Sequence, residues 1–151
     1  MKKLIKKIKD IPKRFKEIVH IMMFRHNPLS VEIMSANICF LWGVWLLFPG
    51  DIFAISNSYN AMAVLAPDYV WGVCMTLLGI AQWVLIFDDH LKGREVVMLL
   101  GGLAWLFIAG TFLASGTGTT AIITYGIIGT ATMWASFRLA MINSQIKNIN
   151  K

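Results

Sequence analysis

Residues 96–115 read VVMLLGGLAWLFIAGTFLAS, without one charged side chain. A helix at the surface of a soluble protein keeps a polar face toward water, and this stretch has none. At about 1.5 Å per residue it covers about 30 Å, the thickness of a bilayer's hydrocarbon layer. The stretch is therefore expected to cross a membrane. Three more segments avoid charge in the same way: 33–50, 69–87 and 119–137. All lie in a chain of 151 residues that is 57% hydrophobic, with a mean hydropathy of +0.64. The fold class expected is all-α: a polytopic membrane protein with four transmembrane helices in an up-down bundle over residues 30–140. A cytoplasmic amphipathic helix over 1–26 precedes it and a short cytoplasmic tail, 141–151, follows. The turn Gly116-Thr117-Gly118 folds the last two spans into an antiparallel hairpin.

The formal net charge of +6 resolves into about +7 over residues 1–26 and −1 over the rest. Lys2, Lys3, Lys6, Lys7, Lys9, Lys13, Arg14, Lys16 and Arg25 precede the first span; Lys92 and Arg94 lie between spans two and three; Arg138, Lys147 and Lys151 follow the fourth. Counted alternately, every basic residue falls on one side, which predicts N-in, C-in insertion. The long basic region before the first apolar run argues for a retained helix over a cleaved signal peptide. Leu4, Ile5, Ile8, Ile11, Phe15, Ile18, Val19, Met22 and Met23 recur at spacings of three and four, with lysines opposite. Lys2 to Lys16 are accordingly expected at the membrane surface, on anionic headgroups, and nucleic acid is set aside as a partner. Asn27-Pro28 is expected to start the first span.

Between spans one and two, 51–68 is read as a long turn, with a plug or a partner surface as the alternatives, and Ser56 or Ser58 is placed to cap a short interfacial helix through Tyr59, Met62, Ala63 and Leu65 within it. Tyr59, Tyr69 and Trp71 are placed at the outer headgroup level. Asp68 is expected at the N-terminus of the second span.

No ionisable group falls in the middle of a span, which lowers the prospects of ion-coupled transport and intramembrane catalysis. Asn37 and Gln82 are the notable intramembrane polar residues, each expected to hydrogen-bond another helix, with pore lining as the other reading. Gly126, Gly129, Thr130, Ala131 and Ala135 are read as helix-packing positions, within one subunit or between copies in a homo-oligomer. Glu32 or Glu95 is expected to pair with Arg138 and clamp the cytoplasmic ends. Cys39 and Cys74 are read as small buried hydrophobes. Asp88-Asp89-His90 is read as an exposed turn. No catalytic, metal-binding or cofactor-binding residue is expected, and the chain is expected not to be an enzyme. Trp45-Leu46 with Gly50 and Ala54 matches Trp105-Leu106 with Gly110 and Ala114, a faint repeat that a duplicated hairpin would give.

Ser35-Ala36-Asn37 with Trp42-Gly43 and Trp45, Pro67-Asp68 with Trp71-Gly72, and Thr119-Thr120-Ala121 with Tyr125, Trp134 and Arg138 resemble the small four-helix membrane proteins of tailed bacteriophages. In size, charged cytoplasmic tail and charge-poor spans the chain is similar to phage holins, departing from their common one-to-three-span patterns by having four. The resemblance implies an oligomer that permeabilises the inner membrane. The alternatives are a membrane interaction or superinfection-exclusion protein without pore activity, or a small passive channel or transporter subunit.

Overall fold

A computed structural model of the chain describes residues 28–88 and 90–149, and they are all-helical. The expectations for Lys2 to Lys16 and the rest of 1–27 lie outside the described residues. Four long helices dominate: α1 (Leu29–Leu46), α3 (Asp68–Phe87), α4 (Leu91–Ala114) and α5 (Thr120–Ile149). The short helix α2 (Asn60–Leu65) follows two 3₁₀ turns, Ile52–Ile55 and Asn57–Tyr59. By length and composition α1, α3 and α4 are apolar enough to cross a membrane. The fourth long helix is more polar, because Thr120, Thr124, Thr130 and Thr132 interrupt its apolar residues and its last turns run through Asn143, Ser144, Gln145 and Lys147.

Element boundaries follow local chemistry. The Pro28 carbonyl accepts from the Glu32 N–H at 3.0 Å, so α1 starts at Leu29, four residues before the expected span, and stops at Leu46 ahead of Pro49. Between α3 and α4 the break is short, and Lys92 to Glu95 form the first turn of α4 instead of belonging to a loop. No glycine or proline follows Gly129, so α5 continues to Ile149 through most of the expected tail. Gly116, at φ 67°, takes the left-handed conformation that lets the chain reverse between α4 and α5.

The long helices pack as two antiparallel hairpins, α1 with α3 and α4 with α5, which meet through lighter α3–α4 and α1–α5 contacts. In the first hairpin the backbones approach closely. A Cβ added to Gly79 would lie 2.6 Å from the Phe40 nitrogen, and one on Gly43 2.4 Å from the Thr76 nitrogen. The second hairpin closes where Gly102 meets Met133 and Gly129 meets Leu106. The proposed repeat does not survive in the burial pattern. Trp45 points outward while Trp105 is fully enclosed, and the following leucines reverse that order.

Candidate functional site

The interior divides into an aromatic half and a polar half. Toward the connection 51–67, Trp105 stacks on Tyr125 at 5.3 Å, with Trp42 edge-on to Trp105 at 5.4 Å and Phe112 edge-on to Tyr125 at 5.2 Å. Trp105 donates its indole N–H to Cys39 Sγ at 3.3 Å, satisfying the one polar atom of a wholly buried ring. This cluster joins α1, α4 and α5 and fills the space between them.

The connection 51–67 folds onto that cluster as a cap, more structured than a long turn. Phe53 stacks on Tyr59 at 5.0 Å, Tyr59 meets Phe112 edge-on at 5.2 Å, and Met62 is fully buried. Ser56 accepts from the Ser58 N–H and so caps the second 3₁₀ turn, while α2 begins at Asn60 without a side-chain cap. Ser115 Oγ lies 3.0 Å from the Ser58 carbonyl, and Thr117 donates to Ser58 Oγ at 3.0 Å. Tyr59 is thereby drawn inward, and desolvation lifts its phenol above the usual value of 10. Tyr69 stays exposed, and Trp71 donates to the Met62 carbonyl at 3.4 Å. Beside the cap, an open groove of about 470 Å³ contains Asp51 and Asp68. Both carboxylates are engaged locally: Asp68 accepts from the Tyr69 and Ile52 N–H groups, and Asp51 from that of Ala54.

At the opposite end every long helix contributes a buried polar side chain. Glu32 of α1 has no exposed surface and accepts two hydrogen bonds from Arg94 of α4, Nε to Oε2 at 2.8 Å and Nη2 to Oε1 at 3.0 Å. The guanidinium gripping this acid is thus Arg94, where the sequence pointed to Arg138. Glu32 and Arg94 both face inward within the first turns of their helices, which brings them to one level. A side-on pair of this kind satisfies both carboxylate oxygens at once. Ser136 of α5 donates to the Glu95 carbonyl at 2.9 Å, and Arg138 is buried nearby in the sequence.

One to two turns deeper, Ser35, Gln82 and Thr132 converge around Gly101. A Cβ at Gly101 would lie 2.6 Å from Gln82 Nε2, 3.5 Å from Thr132 Cγ2 and 3.7 Å from Ser35 Oγ. Gln82 donates to the Val97 carbonyl at 3.4 Å; its oxygen is buried and has no hydrogen-bond partner among the described residues. Thr132 donates to the Ile128 carbonyl at 2.8 Å, with Ser35 Oγ 3.4 Å away. Gln82 therefore reaches another helix, as expected. Asn37 does not: it is exposed and donates to the Ile33 carbonyl of its own helix at 3.0 Å.

The expected packing positions separate. Gly129 and Ala135 are buried and Ala131 partly so, whereas Thr130 is exposed and Gly126 has open space where a Cβ would stand. Gly126 and Thr130 thus do not pack within the described chain. Cys39 is buried, but Cys74 is exposed on the outer face of α3. The sequence reading missed the seam at Gly43, Gly72 and Gly79, although their spacings of seven along α3 and of i to i+4 from Ala36–Cys39 turns were available as a pattern. It also missed Ser35, Gly101 and Thr132 as a meeting point.

Among the described residues no three metal-ligating side chains come together. The polar cluster has a balanced acid–base pair and amide and hydroxyl groups held by carbonyls, an arrangement suited to fixing helices against one another. No protein-family model matches the chain, and no curated protein or solved structure is significantly similar to it.

Proposed function

We propose that the chain is a non-enzymatic integral membrane protein of four spans, N-in and C-in in a bacterial inner membrane, that acts by protein association without forming a pore. The carrying observation is the inverted distribution of polarity. Glu32, Ser35, Gln82 and Thr132 are enclosed, while Leu41, Trp45, Leu77, Val84, Phe107 and Ile127 face outward. Water rewards the reverse arrangement, and lipid tolerates this one. α5 joins the three more apolar helices as a span because 120–137 carries no charge and packs along α4.

An aqueous path needs polar atoms along its length. Trp105, Trp42, Tyr125 and Phe112 fill the interior instead, and the outward surfaces of the long helices carry mainly Leu, Ile, Val, Phe and Trp. Both features favour a membrane interaction protein, of the superinfection-exclusion or scaffold kind, over a channel within one chain. The basic segment 1–26 offers it a contact with anionic headgroups on the cytoplasmic leaflet.

A holin-like, permeabilising oligomer is the second reading, favoured by the outward polar groups of Asn37, Thr124 and Thr130. Induced expression with a potential-sensitive dye separates the two. The first reading expects an unchanged membrane potential and continued growth; abrupt collapse of the potential would overturn it in favour of the second.

A further inference from the structure

Asn37 stands eight residues into the 18-residue helix α1, close to its middle, on the side away from the other helices. Glu32, Ser35, Ala36, Cys39 and Gly43 mark the enclosed face. The opposite face carries Met34, Asn37, Leu41 and Trp45 at spacings of three and four, all exposed. The bond from Asn37 Nδ2 to the Ile33 carbonyl uses one amide proton. Among the described residues, the second proton and the carbonyl oxygen have no partner. Lipid tails offer neither donor nor acceptor, so an amide at this depth calls for a polar group on another helix.

The other outward polar groups make no such demand. Thr130 donates to the Gly126 carbonyl at 2.7 Å and Thr124 to the Thr120 carbonyl at 3.1 Å, each returning its single proton to its own helix. Gln82, the other intramembrane amide, already reaches α4. Asn37 is distinguished from all three.

We infer that a second copy of the chain covers this face, α1 against α1, with the two Asn37 amides hydrogen-bonded to each other across a two-fold axis along the membrane normal. Copies inserted by the same charge rule share direction and depth, so each brings an identical amide to the same level. A primary amide is both donor and acceptor, and each Nδ2 serves the other's Oδ1. Met34 packs on one side of this contact, and Leu41 and Trp45 on the other. Residues 1–27 are a poorer occupant: they carry nine Lys and Arg, a composition that stays at headgroup level. The inference rests on the reading of α1 as a membrane span.

The test uses the full chain in phosphatidylethanolamine–phosphatidylglycerol vesicles, with energy transfer between donor- and acceptor-labelled copies. Wild type is expected to dimerise. Asn37→Leu should raise the dissociation constant roughly 5- to 30-fold, the usual worth of an interhelical polar contact, while Asn37→Gln stays close to wild type. Because the side chain is exposed, helicity and unfolding midpoint of the monomer should not change. With Cys74→Ser, and the native Cys39 buried, cysteines introduced at 34 or 41 should cross-link copies and those at 103 or 127 should not. A monomeric wild type, undiminished association of Asn37→Leu, cross-linking through 127 alone, or cross-linking of position 34 or 41 to residues 1–27 of its own chain would each overturn the inference. Recovery of the protein in the soluble fraction would instead overturn the membrane reading beneath it.

Discussion

Removing Arg94 leaves the Glu32 carboxylate enclosed without the cation that grips both of its oxygens. Loss of one partner from a buried pair costs about 3–5 kcal/mol, because the remaining charge keeps its desolvation penalty and loses its compensation. Arg94→Met and Glu32→Gln are each expected to destabilise the protein by that order, read as a lowered unfolding midpoint in detergent micelles. The double variant should recover part of the loss, since neither charge is then stranded; equal or greater loss in the double would contradict the account. Both residues were legible in the sequence as charges flanking apolar runs. Their pairing was not, because Arg94 and Arg138 are both enclosed, and which of them meets Glu32 depends on how the helices are arranged around one another, which charge placement along the chain does not carry. Asn37 and Gln82 show the same limit: two amides at membrane depth read alike, yet one faces α4 and the other faces out.

Glycine means different things on different helices. At Gly79 a side chain would meet the backbone of α1 at Phe40, which no rotamer change relieves, whereas at Gly126 it would meet nothing within 4 Å. Gly79→Leu is therefore expected to cost at least about 1–3 kcal/mol by forcing α1 and α3 apart. Gly126→Ala should be neutral or stabilise by roughly 0.5–1 kcal/mol, because it only removes backbone freedom from the unfolded chain. Unfolding of the two variants in micelles checks this, and a neutral Gly79→Leu would refute the close α1–α3 seam. The helices themselves were well marked in the sequence by the absence of charge, and the α4–α5 reversal by Gly116. Their ends were less so. Charge does not by itself end a helix: Lys92, Arg94 and Glu95 are helical, since a helix continues past charged residues until its backbone geometry is broken. The cap over 51–67 was hidden for another reason: the contacts that order it are made with α4 and its C-terminal end, far away in sequence.

At the scale of the molecule, polarity inside and apolar surface outside, together with basic residues on one side of every apolar helix, make a single prediction about placement. Consecutive long helices alternate in direction, so the 51–67 cap and the 116–118 turn should lie on one side of the membrane and the break between α3 and α4 and the end of α5 on the other. The helix on which this depends most is α5, the most polar of the four. The decisive measurement is labelling of single cysteines with a membrane-impermeant thiol reagent, at Asn57→Cys, His90→Cys, Thr117→Cys and Lys147→Cys in a chain carrying Cys74→Ser. Four spans with both termini inside predict that positions 57 and 117 react from the periplasmic side in cells with an intact inner membrane, and that 90 and 147 react only once that membrane is opened. Reaction at 147 in intact cells, or protection at 117, would contradict the account.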